Sequence, residues 1–344
     1  RSVLAIGAAG MLLAACSFSP TPSGSPRADE GSFAANTGDL VVYSGRTEEL
    51  IGPLIEQFRE ATGVEVAVRY GDTSEMANLI LTEGENSPAD VYFAQDAGAL
   101  GAVADEGLLA ELPAETLDLV DERFRSPEGT WVGLSGRARV VVYNTDNVSE
   151  DELPDSIFGF TDPEWSGRIG WTPTNGSFQS FVTALRVVEG EDRAREWLEG
   201  IQANEPSVYE GNNPALDAVI AGEIDVAFVN HYYLMQRLAE EPDVPAANYF
   251  LTAGDAGALI NVAGVGILTS SDQADAAQQL VEFLLSEEAQ TYFADETKEY
   301  PMAAGVAPGA ELPPLQEIST PEIDLSDLSD LDGTLQLLQE AGVL

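Results

Sequence analysis

The residues whose types and spacing could do chemistry in this chain converge on one tetrapeptide, Asn230-His231-Tyr232-Tyr233. A phenol ordinarily keeps its proton up to pH about 10. A small, highly charged metal such as Fe(III) displaces that proton, because a phenolate is a hard anionic oxygen donor. Two phenolates would cancel two of the three positive charges. An anion could supply further oxygen ligands, held by neutral Asn and Ser side chains and by backbone N–H groups at a helix start. Adjacent tyrosines at a strand end also fit one packed and one exposed ring, and both readings stand at this point. The rest of the catalytic inventory is thin. There is one histidine, and no Gly-x-Ser-x-Gly elbow, phosphate-binding Walker loop or His-Glu-x-x-His helix is present. A carboxylate-dependent hydrolase needs only acids, which are so abundant here that no particular pair is singled out. The expectation is a protein that is not an enzyme.

Elements that would carry these residues follow from periodicity. Residues 40–43 form an apolar strand running into a polar loop, after which Leu50, Leu54, Ile55 and Phe58 recur at helical spacing up to a stop at Thr62-Gly63. Residues 64–68 alternate as a strand, 75–83 suit a helix and 90–93 a buried strand. Repeated strand-helix alternation implies right-handed crossovers and a mostly parallel sheet, with ligands beyond the carboxyl ends of strands. Loops 44–48 and 94–97 are therefore candidate binding positions. A second such region has strands at 139–143, 168–171, 224–229 and 262–268, and helices at 181–188, 194–201 and 274–292. The strand at 224–229 delivers the tyrosine pair at its carboxyl end. Two α/β regions with polar loops at their strand ends predict a cleft between lobes.

Composition narrows the partners. Of 344 residues, 44% are hydrophobic and 22% charged, which suits about two folded domains. Against 15 Lys+Arg stand 59 Asp+Glu, a formal net charge of -44. Such a field repels phosphate backbones, so no nucleic-acid partner is expected. Surface acidity of this kind keeps a protein hydrated in salty or acidic surroundings and attracts cations in general. Cys16 is the only cysteine, which excludes internal disulfides and Cys-based zinc sites. It ends an apolar run as Leu13-Ala14-Ala15-Cys16, too short to span a bilayer comfortably but suited to a secretory signal. The ending resembles the lipobox of bacterial lipoproteins. That resemblance implies cleavage after residue 15, lipidation of Cys16, a Ser-, Pro- and Gly-rich tether over 16–37, and a protein held on the outer face of the cell membrane by its lipid alone.

Ordered matches along most of the chain carry a wider resemblance. They are Val42-Tyr43-Ser44-Gly45-Arg46, Pro88-Ala89-Asp90-Val91, Leu134 to Tyr143, Pro163 to Gly170, Asn230 to Tyr233, Gly257-Ala258-Leu259 and Glu299-Tyr300-Pro301. With them the chain resembles the bacterial periplasmic ferric-ion-binding proteins, the substrate-binding components of ABC iron importers. The resemblance implies an α/β, two-lobe periplasmic-binding-protein fold with mixed sheets and a hinged ligand cleft. It places the first lobe at 38–138 and 263–313 and the second at 139–262 and 314–344. It further implies a monomer that carries Fe(III), with phosphate or carbonate as synergistic anion, to an ABC permease. Tyr232 and Tyr233 match the family's tyrosine ligands. Asn175, Gly176 and Ser177 fall on its anion loop, and Asn212 and Asn230 on its asparagine contributions. The first lobe departs from the pattern: Thr47 stands where the family has a histidine ligand, and Gln95, beside Asp96, where it has a glutamate. Glu48 or Asp96 could coordinate instead, water or a chelating anion could fill these positions, or the specificity could have moved. Arg46 could pair with the anion or with a surface carboxylate, and Glu48 could serve only the start of its helix. The alternative solute is a small organic anion such as a phosphonate, bound by the Asn and Ser donors.

Overall fold

The alternating strand and helix signals resolve into an α/β architecture in the computed structural model, which describes residues 38–309 and 312–344. The expected signal at 1–15, the lipidation site Cys16 and the tether to residue 37 lie outside the described residues. The first half opens with β1 (Leu40–Ser44), α1 (Glu48–Thr62), β2 (Val66–Tyr70), α2 (Thr73–Glu83), β3 (Val91–Ala94) and α3 (Ala97–Asp105). Both β2 and β3 lie parallel to β1, since each helix carries the chain back over the sheet. The apolar stripe of α1 buries Ile51, Leu54, Ile55 and Phe58. Gly63, at φ 73°, ends that helix by returning its N–H to the carbonyl of Arg59.

After the short α4 (Ala114–Leu117) comes β4 (Val132–Asn144), thirteen residues that are all buried. The second half adds β5 (Ile169–Trp171), α5 (Gly176–Glu189), α6 (Glu191–Ala203), β6 (Ser207–Val208), α7 (Asn212–Ile220), β7 (Val226–Asn230), α8 (His231–Glu240) and β8 (Ala246–Tyr249). The chain then returns through β9 (Ile260–Ile267), α9 (Ala274–Leu284), α10 (Glu287–Tyr292), β10 (Tyr300–Pro301) and α11 (Leu331–Glu340). Along the mixed sheet the order is β2-β1-β3-β9-β4-β7-β5-β6. From Val132 to Ala138, β4 pairs antiparallel with β9, and at Ser135 and Gly136 with β10. From Arg139 to Asn144 it pairs antiparallel with β7 and β8. One strand thus joins the β9–β10 side of the sheet to the β7–β8 side, and Arg137 and Arg139 at its midpoint line a cavity.

Several elements differ from expectation for identifiable reasons. The apolar signal marks only the second part of β4; the first part carries Gly, Ser and Arg and a register shift between Gly133 and Ser135, which masks the strand. The helix expected over 274–292 is two helices, because Ser286 starts a new one by accepting a hydrogen bond from the Ala289 N–H at 3.3 Å. The C-terminal segment, expected only as part of the second lobe, carries a turn and a helix that no sequence signal marked. Its turn at Leu325–Ser329 lies on α3, where Gly98 and Gly101 leave no room for a Cβ beside the Leu328 and Ser326 backbone. Onward, α11 packs on α5 through Thr334 and Thr183, whose hydroxyls are 2.7 Å apart, and through Arg186 to Asp330 at 2.8 Å.

The interior of the second lobe is an aromatic cluster. Trp197 is fully buried, with ring centroids 5.3 Å from Phe181 and 5.7 Å from Phe228, and its indole N–H donates to the Ile157 carbonyl at 3.0 Å. Removing it strips packing from three elements at once and leaves that carbonyl without its donor. Trp197→Ala is expected to lower the unfolding free energy by about 3–5 kcal/mol, read from the denaturant midpoint.

Candidate metal and anion site

Strand β7 ends at Asn230, and α8 begins with His231, so Tyr232 and Tyr233 sit in the first helical turn. Both are half-buried, and their rings stack at 4.3 Å between centroids and 30° between planes. They line a cavity of about 640 Å³ whose walls also include residues of α2, α3, β4, α5 and the start of α11. Burial raises the Tyr232 phenol above its ordinary range; the neighbouring Tyr233 adds to this, while Arg137 opposes it. An empty site therefore keeps that phenol neutral, and ionisation requires a cation at the oxygen.

His231 does not join the tyrosines as a donor to the cavity. It is fully buried, with Nδ1 accepting from the Ala138 N–H at 3.1 Å and Nε2 at 2.9 Å from the Lys298 carbonyl. A backbone N–H only donates and a carbonyl only accepts, so the proton is on Nε2 and the ring is neutral. Burial lowers its pKa from 6.5 to about 4.

The anion loop sits at the start of α5. Asn175 is the N-cap, accepting from the Ser177 N–H at 3.0 Å and the Ser177 hydroxyl at 2.5 Å. Asn175, Gly176, Ser177 and Asn230 line the cavity. Asn212 stands behind them, 2% exposed, and its amide donates to Asn175 Oδ1 and Ser177 Oγ, each at 3.3 Å. It holds the loop, and its own Oδ1 has no partner. Arg139 completes this wall, donating to Asn230 Oδ1 at 3.4 Å and to the Phe228 carbonyl at 2.7 Å, with Nε unpartnered. Burial lowers Arg139 to about 9, which leaves it a cation at neutral pH.

On the opposite wall, Gln95 and Asp96 line the cavity, whereas Arg46 and Glu48 do not. Asp96 caps α3 through Gly98 N–H at 2.9 Å, accepts from the Ser180 hydroxyl at 3.0 Å, and accepts from the Asn261 amide. Glu48 lies exposed at the start of α1. Arg46 is 1% exposed and engaged through both terminal nitrogens: it meets both oxygens of Glu299 at 3.0 and 2.8 Å and Gln95 Oε1 at 2.6 Å, while its Nε has no partner. Its partner is thus a buried carboxylate rather than a surface one, and Gln95 turns its oxygen to Arg46. Glu299 also accepts from Ser135 and Thr297, each at 3.0 Å, and lies 3.9 Å from Arg137. Arg137 donates to the Gln95 carbonyl, lines the cavity and has Nη1 without a hydrogen bond.

Sequence reasoning quoted Arg137, Arg139 and Glu299 within motifs but gave them no role. The available signal was two arginines, two residues apart, in a strand otherwise apolar enough to be buried. Among the described residues no group of three or more His, Cys, Asp or Glu could hold a metal ion. The cavity offers two phenols, the guanidiniums of Arg137 and Arg139, the amides of the anion loop, and single carboxylates such as Asp96 and Asp72. That donor set suits a hard cation accompanied by an oxyanion.

Comparison with known proteins gives concordant matches. Residues 74–324 match the profile of the family described as bacterial extracellular solute-binding protein. The major ferric iron-binding protein of Neisseria meningitidis serogroup A is 35% identical over 313 residues, covering 89% of this chain and 93% of its own. The crystal structure of iron-bound HitA from Pseudomonas aeruginosa superposes with a TM-score of 0.80 at 36% identity, covering 88% of this chain and 99% of that one. A Trichodesmium protein in complex with iron and citrate superposes with a TM-score of 0.78 at 29% identity, over 89% and 99% of the two chains.

The buried charges make stability depend on pH. Burial alone would raise Glu299, but Arg46 and then Arg137 hold it near 2, against 4.5 ordinarily. The unfolded chain takes up the His231 proton between pH 6.5 and about 4, and the Glu299 proton between 4.5 and about 2, before the folded one does. Unfolding free energy is therefore expected to fall as pH drops through both windows. Glu299→Gln strands Arg46 and Arg137 inside the protein. It should cost about 3–5 kcal/mol at neutral pH and flatten the loss below pH about 4.5, measured by denaturant titration across the acid range.

Proposed function

As the chain belongs to the bacterial extracellular solute-binding protein family, we propose that its solute is Fe(III), held by the phenolate oxygens of Tyr232 and Tyr233 together with a synergistic anion. The observation that carries this reading is the stacked tyrosine pair on the wall of the same cavity as the Asn175 to Ser177 loop and Arg139. It gains support from relatives of matching length that are named for ferric iron. Two phenolates leave the metal with one positive charge, and the adjoining wall presents N–H groups and a guanidinium to an anion such as phosphate or carbonate. Gln95 is engaged by Arg46 and Glu48 stands off the cavity, so on the first-lobe wall Asp96 is the carboxylate that could approach the metal. Water or further oxygens of the anion complete the coordination.

The capture cycle follows from this arrangement. The metal and anion dock on the tyrosine side, and the lobes close about the crossings at β4 and β9, the first comprising 38–138 and 263–313 and the second 139–262 and 314–344. Closure excludes water and strengthens the metal-phenolate attraction, so the metal shifts the population toward the closed form. The protein then acts as a monomeric carrier, without catalysis. It is held outside the cell membrane by lipid on Cys16 and delivers its cargo to an ABC permease.

Titration of metal-stripped protein with chelated Fe(III), followed by visible absorbance, tests the reading. A saturable phenolate-to-iron band at one metal per chain is expected, stronger with phosphate or carbonate present. Its apparent affinity should rise with pH, since binding releases phenol protons. Tyr233→Phe should abolish the band or weaken binding by at least about tenfold. No band, with iron left on its chelator, would sink the ferric reading and favour a small organic anion such as a phosphonate on the Arg139 wall.

A further inference from the structure

The one histidine is buried against the proposed ligands without reaching the cavity, and its geometry is that of a clamp. We infer that His231 is a positioning residue for iron capture: it fixes the first turn of α8, and with it Tyr232 and Tyr233, to the β4 frame that carries Arg137 and Arg139 and to the segment that carries Glu299. This inference rests on the ferric reading above.

The start of α8 lacks the usual means of holding a helix end. Its N-cap, Asn230, makes no side-chain cap and instead accepts from Arg139. A first turn left so would fray, and the tyrosines are in it. His231 supplies three anchors in place of the cap. Nδ1 takes the Ala138 N–H at 3.1 Å, between Arg137 and Arg139 on β4; Nε2–H goes to the Lys298 carbonyl at 2.9 Å; and the His231 carbonyl accepts from the Asn248 amide at 2.8 Å. Each anchor lies on a different segment, so the turn can neither slide nor rotate without losing one.

Two further observations agree. Lys298 has φ 61°, one of two non-glycine residues with positive φ among the described residues. A left-handed lysine is unfavourable by itself and persists only where its surroundings hold it; here it ends the preceding helical turn, its N–H returning to the Phe293 carbonyl while its own carbonyl accepts from the imidazole N–H. The rings are also in series. His231 lies 4.9 Å from Tyr300 on one side and 5.9 Å edge-on to Tyr232 on the other, and Tyr232 stacks on Tyr233. A shift of the imidazole is therefore felt at both phenols. Both ring nitrogens are already bonded within the protein, which is why the residue acts through its neighbours.

The test compares His231→Phe, which fills the space without either ring hydrogen bond, with His231→Asn, whose Oδ1 can take the place of Nδ1. In the full chain, Fe(III) titrations read affinity and the maximum of the visible band, and denaturant midpoints read stability. His231→Phe should lose about tenfold in ferric affinity and displace the band, while His231→Asn should recover affinity to within about threefold of wild type. A folded His231→Phe with wild-type band and affinity overturns the inference. So does a loss of affinity that tracks stability with the band unmoved. Should His231→Phe not fold, His231→Leu, which also removes both ring hydrogen bonds with less bulk, takes its place: lowered affinity with a displaced band supports the clamp, and wild-type band and affinity overturn it. A wild-type protein without the band would overturn the ferric reading and this inference together, whereas a wild-type band shared by every variant overturns this inference alone.

Discussion

The constraint on which the rest of the structure depends is the burial of three arginines, two of them around one carboxylate. Arg46, Arg137 and Arg139 are each no more than 6% exposed, and Glu299 sits between the first two. Taking such charges out of water is costly unless they are paired and hydrogen-bonded, and here the bidentate Arg46–Glu299 contact, Ser135 and Thr297 supply the pairing. Arg137 and Arg139 place two buried guanidiniums on the cavity wall, facing Asp96, inside a molecule of net charge -44. The two kinds of charge have different consequences. A carboxylate-rich exterior attracts cations without selecting among them, whereas buried guanidiniums favour what can bring negative oxygen to them: a phenolate, an oxyanion, or a metal that arrives with one.

The shared strand is what makes this possible. Because β4 pairs with β9 and β10 over one part and β7 and β8 over the other, its midpoint residues Arg137 and Arg139 look into the cleft from a position that neither lobe owns. Asp96 joins the walls by a different route, capping α3 while accepting from Ser180 on α5 and Asn261 on β9. The C-terminal segment ties the same two helices and lines the cavity at residues 328–332, with the Leu325–Ser329 turn on α3 and α11 on α5. Around the site, polar hydrogen bonds thus stand beside close packing of the Leu325–Ser329 turn, with Leu325 and Leu328 buried.

Much of this was legible in the sequence, and what was not has physical causes. The tyrosine pair could be placed because β7 is apolar throughout and α8 begins at once, so a strand end and a helix start coincide at Asn230. Asn175 read equally as an ordinary helix cap and as part of an anion loop; it is a cap that also lines the cavity, so the two readings describe one residue. The first part of β4 escaped because a strand buried on both faces loses its alternation, and one holding an ion cluster loses its apolarity too. The pairing of Arg46 with Glu299 joins residues 253 positions apart, beyond the reach of any local pattern. His231 was noticed for its rarity, but its role depends on a carbonyl and an amide from distant segments. Glu48, legible as either a ligand or a helix-start acid, stands at the start of α1 and off the cavity.

The central claim is that the metal sits on the tyrosine pair inside the cleft rather than on the acidic exterior. Its most direct measurement is a crystal structure of the iron-loaded protein with anomalous data collected at the iron edge. The account predicts one dominant anomalous peak per chain, bonded to both the Tyr232 and Tyr233 oxygens, with anion density against Asn175, Ser177 and Arg139. Iron scattered among surface carboxylates, with the tyrosine oxygens bare, would contradict it.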